Sequence, residues 1–187
     1  MDWTILVVGI IAVIVVLGII GYVVSIYNKF YSLKNSAEAT IGQIRVAMKK
    51  RLDMIEQLLG SVKSYAGFEK ETLEKITRLR TEVATSQTRD LNSVDRESRT
   101  ILGNLFAVAE NYPDLKTSTT VTSLMDGVKN VEEEIARQRY TYNNIAQQYN
   151  IMQDTIPSAF VARLISLARL DYLKFEEESE KAPKIAF

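Results

Sequence analysis

The amino-acid sequence predicts an all-α protein: an N-terminal transmembrane helix, then an antiparallel up-down bundle of three long helices with a short fourth C-terminal helix. Three observations predict it. Residues 3–26 carry no charge. Beyond them, apolar residues recur at a mean spacing of about 3.6, the period of a helix that buries one face. The residues that stop helices are widely spaced, at Gly67, Pro113 and Pro157, which leaves segments of about 40 residues between turns.

The first element is the apolar run. Residues Ile5 to Ile20 read ILVVGIIAVIVVLGII. At about 1.5 Å per residue, the run from Trp3 to Ile26 spans roughly 36 Å against a hydrocarbon core of about 30 Å. Trp3, Ile11, Gly18, Gly21 and Tyr22 are assigned to the span, with Trp3 and Tyr22 near the two headgroup levels. A cleaved signal peptide fits less well, because no cation precedes the run, the run is too long, and no small-x-small site follows it. A pilin-like core helix would carry an acid within the run, and none is present. Only Asp2 precedes the span, whereas Lys29, Lys34 and Arg45 follow it. The cation excess predicts a single-pass protein of the cell membrane, N-terminus outside and C-terminal part cytoplasmic. Gly18 and Gly21 are three apart, so the four-residue dimer spacing is absent.

From Tyr27 the stripe is Phe30, Leu33, Ala37, Ile41, Ile44, Met48, Leu52, Ile55, Leu59, Val62 and Ala66. No Pro separates it from the span. One continuous helix is expected, with Gly21 and Gly42 as its soft points. The next segment, 69–111, carries Leu73, Ile76, Val83, Leu91, Val94, Leu102 and Leu105 on its stripe. Its middle, Thr85-Ser86-Gln87-Thr88-Arg89-Asp90, is polar and a poor helix former, so a break fits there. Asn111-Tyr112-Pro113-Asp114 is the clearest turn in the chain. The third helix starts at Ser118 or Thr119, both good N-caps. It carries Val121, Leu124, Val128, Val131, Ile135, Tyr142, Ile145, Tyr149 and Met152 before Pro157. Up-down topology then places Pro113 near the bilayer and Gly67 and Pro157 at the far end. The segment 158–170 is expected there as a cap on the bundle rather than as an interfacial membrane helix. The domain division expected is 1–26 anchor, 27–173 bundle and 174–187 mobile charged tail.

Composition excludes much chemistry. There are 23 Lys+Arg, 23 Asp+Glu, and no His or Cys. Zinc fingers, His-containing triads, Cys nucleophiles and disulfides are therefore ruled out. Zero net charge argues against a nucleic-acid partner. Glu132-Glu133-Glu134 lacks the His that a di-metal bundle site requires. No catalytic, cofactor or metal site is assigned. Two groups are candidate contact sites. Lys49-Lys50-Arg51 with Asp53 reads first as a solvated face, and second as a lateral contact. Tyr31, Val46, Lys49, Lys50, Asp53 and Met54, all off the core stripe, are the candidates for self-association. Tyr142-Asn143 and Tyr149-Asn150 repeat at two helical turns, which suits rings in the core with amides bonding across helices.

Several pieces, in order, resemble the LemA family. They are Tyr27-Asn28, RVAMKKRLDMI at 45–55, Val62-Lys63-Ser64-Tyr65-Ala66, Arg80, Ala109-Glu110-Asn111-Tyr112-Pro113-Asp114-Leu115, Arg139-x-x-Tyr142-Asn143, Tyr149-Asn150 and Pro157. The resemblance covers about residues 27–175. Glu56 departs from it, since the family usually has Pro after the Leu-Ile pair, and residues 85–100 show no match. The resemblance implies a membrane helix followed by a cytoplasmic helical bundle, without an established enzymatic activity. It also implies association with membrane remodelling in some members and with membrane metalloproteases in others. The function expected is a non-enzymatic scaffold, a homo-oligomer that associates laterally and organises the lipid bilayer. The alternative is an adaptor or regulatory subunit of another membrane protein, such as a protease.

Overall fold

The computed structural model describes residues 3–62, 70–85 and 88–174. Among these residues the protein is all-helical, with α1 Trp3–Val62, α2 Lys70–Thr85, α3 Thr88–Asn111, α4 Pro113–Lys116, α5 Thr119–Asp154 and α6 Ser158–Leu164. The expected turn at Gly67 and the tail from 175 onward lie outside the described residues.

The 60 residues of α1 contain no proline, and the helix runs unbroken from the apolar run into the stripe. Gly21 and Gly42 are both helical. Fewer, longer helices were expected after it. Residues 70–85 and 88–111 form two helices, and a single ion pair reveals their relation. Arg78 of α2 meets Glu97 of α3. In one continuous helix those two residues would stand about 28 Å apart. Their contact means that α3 folds back along α2. The two described helices thus lie back along each other on either side of the expected break, whose Ser86-Gln87 lie outside the described residues.

Pro113 ends α3 and opens the one-turn α4, as a ring with fixed φ and no N–H does well at a first helical position. Its Leu115 is buried. Ser118 then caps α5, its Oγ accepting a long hydrogen bond from the Val121 N–H at 3.5 Å.

The chain divides into two compact units, residues 1–39 with 143–170, and residues 40–142 with 171–187. This division cuts across both α1 and α5.

In the first unit, Ile26, Phe30 and Leu33 of α1 pack with Tyr149 of α5 and with Val161 and Ala162 of α6. The Phe30 and Tyr149 rings meet edge to face, centroids 5.4 Å apart. This corrects the placement of the C-terminal segment. α6 lies against the turns of α1 that directly follow the apolar run, not at the far end of a bundle. The reason is the return path of α5, whose C-terminal part comes back to Phe30. Beyond the end of α6 Ser166 stands at φ 51°, and the Leu167 N–H donates to the Ala162 carbonyl at 3.1 Å.

The repeated Tyr-Asn pairs have a purpose that periodicity did not reveal. Asn150, buried in the first unit, donates from Nδ2 to the Leu170 carbonyl at 2.9 Å and accepts from the Leu170 N–H at 3.0 Å. Gln153 Nε2 donates to the Ala168 carbonyl at 3.1 Å. The amide thus clamps the extended segment after α6 rather than bonding from helix to helix. In the second unit the buried Tyr142 donates its hydroxyl to the Asp171 carbonyl at 2.9 Å. There too, Leu173 is buried and the Lys174 N–H donates to Asn92 Oδ1 at 3.3 Å.

Candidate functional site

Two surfaces and one buried cluster stand out. The first surface is the apolar run. Every residue from Trp3 to Ser25 is exposed, and α1 is the one described helix long and apolar enough to cross a membrane. Trp3, Ile11 and Tyr22 present their side chains outward, and Gly18 and Gly21 would admit a methyl group without touching anything. Such a surface is far larger than soluble monomers expose.

The second holds the self-association candidates of the second unit, Val46, Lys49, Lys50, Asp53 and Met54, whereas Tyr31 lies in the first unit. Val46 is exposed, with Lys49 and Lys50 about one turn further along α1. Tyr31 is also exposed, its ring 4.7 Å from that of Tyr27. Asp53 and Met54 are only half-exposed, because both have neighbours within the second unit. Asp53 Oδ1 and Glu56 Oε2 each lie 2.5 Å from Arg80 Nη2 of α2. Burial opposes the charge on Arg80, but those two acids outweigh it and raise its pKa. Glu56 is therefore half of an acidic clamp, on a helix that continues straight through it. Met54 reaches Gly127 of α5, where a Cβ would stand 3.0 Å from its Cε.

The buried cluster lies in the second unit and went unrecognised in the sequence. Arg51 is completely buried, with Asp95 and Arg139 only 1% and 4% exposed. Arg51 Nη2 lies 2.8 Å from Asp95 Oδ1, and Nη1 donates to Glu132 Oε1 at 2.7 Å. Arg51 Nη2 also donates to Ser98 Oγ at 2.6 Å. Ser98 Oγ in turn donates to the Val94 carbonyl at 2.7 Å. Asp95 Oδ2 is shared between Arg139 at 2.5 Å and Arg99 at 3.3 Å, and Arg99 reaches Glu132 at 3.0 Å. Three cations and two anions from α1, α3 and α5 thus close one network. This corrects the reading of Arg51 as part of a solvated Lys-Lys-Arg face.

A signal for this was present. At about 100° per residue, Arg51 falls within about 60° of Met48 and 40° of Ile55, on the core stripe itself. Asp95 and Arg139 also fall on their stripes, where the apolar positions skip seven residues from Val94 to Ile101 and from Ile135 to Tyr142.

Burial raises the pKa of Asp95, but Arg51, Arg139 and Arg99 together outweigh it and hold the carboxyl below the usual range. Asp95 is therefore no general acid or base near neutrality. Both of its oxygens face guanidinium groups, Oδ1 that of Arg51 and Oδ2 those of Arg139 and Arg99. Among the described residues no three His, Cys, Asp or Glu side chains converge as a metal site requires.

The sequence model of the LemA family matches residues 40–187. Protein LemA of Metamycoplasma hominis is 29% identical over 142 residues, covering 75% of this chain and 65% of that protein. Magnetosome protein MamQ 2 of Paramagnetospirillum magneticum is 33% identical over 73 residues, 39% of this chain and 27% of its own length. Magnetosome protein MamQ of Magnetospirillum gryphiswaldense is 30% identical over 71 residues, 38% of this chain and 26% of its own length. The chain thus spans less than two thirds of these relatives. The family match begins at Thr40, so the apolar run and the Tyr27-Asn28 pair lie outside it.

Proposed function

This chain belongs to the LemA family, and from that premise we propose that it is a non-enzymatic scaffold, anchored by α1, that associates laterally and organises or remodels the bilayer. The single observation that carries the anchor is the apolar run, exposed at every position from Trp3 to Ser25. A helix that apolar on all sides needs lipid or protein around it.

The cations at 29, 34 and 45 support a cytoplasmic location for the rest of the chain. Support for an up-down bundle comes from paired positions within the second unit. Arg51 pairs with Glu132, whereas Met54 neighbours Gly127, so numbers fall along α5 as they rise along α1. Arg78 pairs with Glu97 in the same reversed sense. In this proposal α2 and α3 form a hairpin inside the bundle.

Val46 with Lys49 and Lys50 is the proposed lateral contact, since an exposed aliphatic group flanked by cations suits an acidic face of a neighbouring copy. The proposal is tested by electron microscopy of full-length protein in lipid vesicles. Ordered assemblies are expected for the wild type, and dispersed molecules for Val46→Glu with Lys49→Glu. Wild-type protein that stays monomeric at every concentration would overturn it.

A further inference from the structure

α6 is apolar on two faces. It buries Ser158, Ala159, Val161 and Ala162, the last two against Ile26, Phe30 and Leu33 of α1. On its opposite face Phe160 is 64% and Leu164 81% exposed, and Ile156, in the turn before it, is 76% exposed. The spacing of four residues sets Phe160 and Leu164 one above the other. Three large exposed apolar groups within nine residues call for a cover, and their position says what the cover is.

We propose that Ile156, Phe160 and Leu164 form a second lipid contact, inserted into the interfacial layer of the bilayer that α1 crosses. The proposal rests on the reading of residues 3–26 as a span. That run is about 36 Å long against a core of about 30 Å, so its last turn emerges at the headgroup level. α6 packs on Ile26 and on Phe30 one turn later, and so shares that level. Interfacial helices bury their apolar face about 5–10 Å into the headgroup boundary, a depth within reach of the ridge.

The cations agree with this position. Arg163 is exposed on α6 and Lys29 on α1, and both carry stems long enough to hold their charge at the phosphates. The inner face of α6 is fixed by the cluster around Phe30, and the segment behind it by Asn150. The ridge is therefore held in place before it meets lipid. The outcome is a two-point attachment, one helix through the bilayer and one lying on it.

The chain has no Cys, so single cysteines report on single positions. Full-length Phe160→Cys, Leu164→Cys, Leu17→Cys and Tyr140→Cys, each carrying an environment-sensitive fluorophore, are reconstituted into vesicles of zwitterionic and anionic lipid. All four native side chains are exposed, and circular dichroism confirms that each variant folds. Quenching is measured with lipids bearing spin labels at shallow and deep positions, and with aqueous iodide.

Strong shallow-lipid quenching at positions 160 and 164 is expected, with deep quenching at 17 and iodide quenching at 140. Iodide quenching at 160 and 164, with position 17 still deep in lipid, would overturn the proposal and leave the anchor standing. Protection of 160 and 164 from both lipid and iodide would overturn it in favour of a protein cover, a second copy or another chain. Failure of lipid to quench position 17 would remove the anchor and this proposal with it.

Discussion

Arg51 bridges Asp95, Ser98 and Glu132 from a fully buried position in the second unit. Desolvating five charges is costly, and the pairs recover that cost only while every partner is present. Arg51→Met is therefore expected to destabilise the protein by about 3–5 kcal/mol, read as a shift in urea midpoint. Replacing Arg51, Asp95 and Arg139 together by apolar residues is expected to cost far less than the single change. A triple variant as unstable as Arg51→Met would refute this account of the network. The sign of the pH effect follows from Asp95. Its folded pKa lies below the ordinary value of 3.8, so its contribution is complete above that value and is lost as pH falls through the lower folded one. Denaturant midpoints should hold from neutrality to about pH 5 and drop steeply below about pH 4, and Asp95→Asn should flatten that drop. Burial of Asp95 and Arg139 was legible in principle from seven-residue gaps in apolar stripes, and that of Arg51 from its angular place near Met48 and Ile55. It was masked by the neighbouring Lys49 and Lys50, which make Arg51 look like part of a surface run.

At the scale of elements, glycine and amide positions make opposite predictions. Gly60 of α1 and Gly103 of α3 sit in helices with nothing within 4 Å of a Cβ. Gly60→Ala and Gly103→Ala should each raise stability by about 0.5–1 kcal/mol, since alanine has less backbone entropy to lose. Asn150 is the converse case. Asn150→Ala would strand the Leu170 N–H and carbonyl that its amide satisfies, at a cost of about 1–3 kcal/mol. Hydrogen exchange should then quicken across 167–170, while the α2 amides stay protected. The existence of the helices was legible because a 3.6-residue period and a proline are local signals. The α2–α3 reversal was legible only as a polar interruption, since the ion pair that defines it joins residues nineteen apart.

For the molecule as a whole, the bilayer outweighs any single contact, because the proposed span is apolar along its whole length. Val13→Arg with Val16→Arg places two cations in that span, each costing about 2.5–3.5 kcal/mol on insertion scales. The variant should shift from the membrane pellet to the soluble or aggregated fraction on cell fractionation. The proposed orientation has its own check. A membrane-impermeant thiol reagent should modify Tyr140→Cys only after cells are permeabilised, and labelling of intact cells would reverse the orientation.

Local sequence alone determined that this protein is helical, that its first helix begins with an apolar run of membrane-spanning length, and that Pro113 and Pro157 end helices. Each follows from the pattern of side chains along one helix or from the fixed φ of one ring. The tertiary structure decided the rest: that 69–111 doubles back, that α6 returns to Ile26 and Phe30, that Asn150 clamps Leu170, and that Arg51 belongs inside. Those outcomes are pairings between distant residues. A charge or an exposed apolar group in a linear chain is the same chemical group whether it ends up in water, in lipid or against an opposite charge. Only the fold chooses among them.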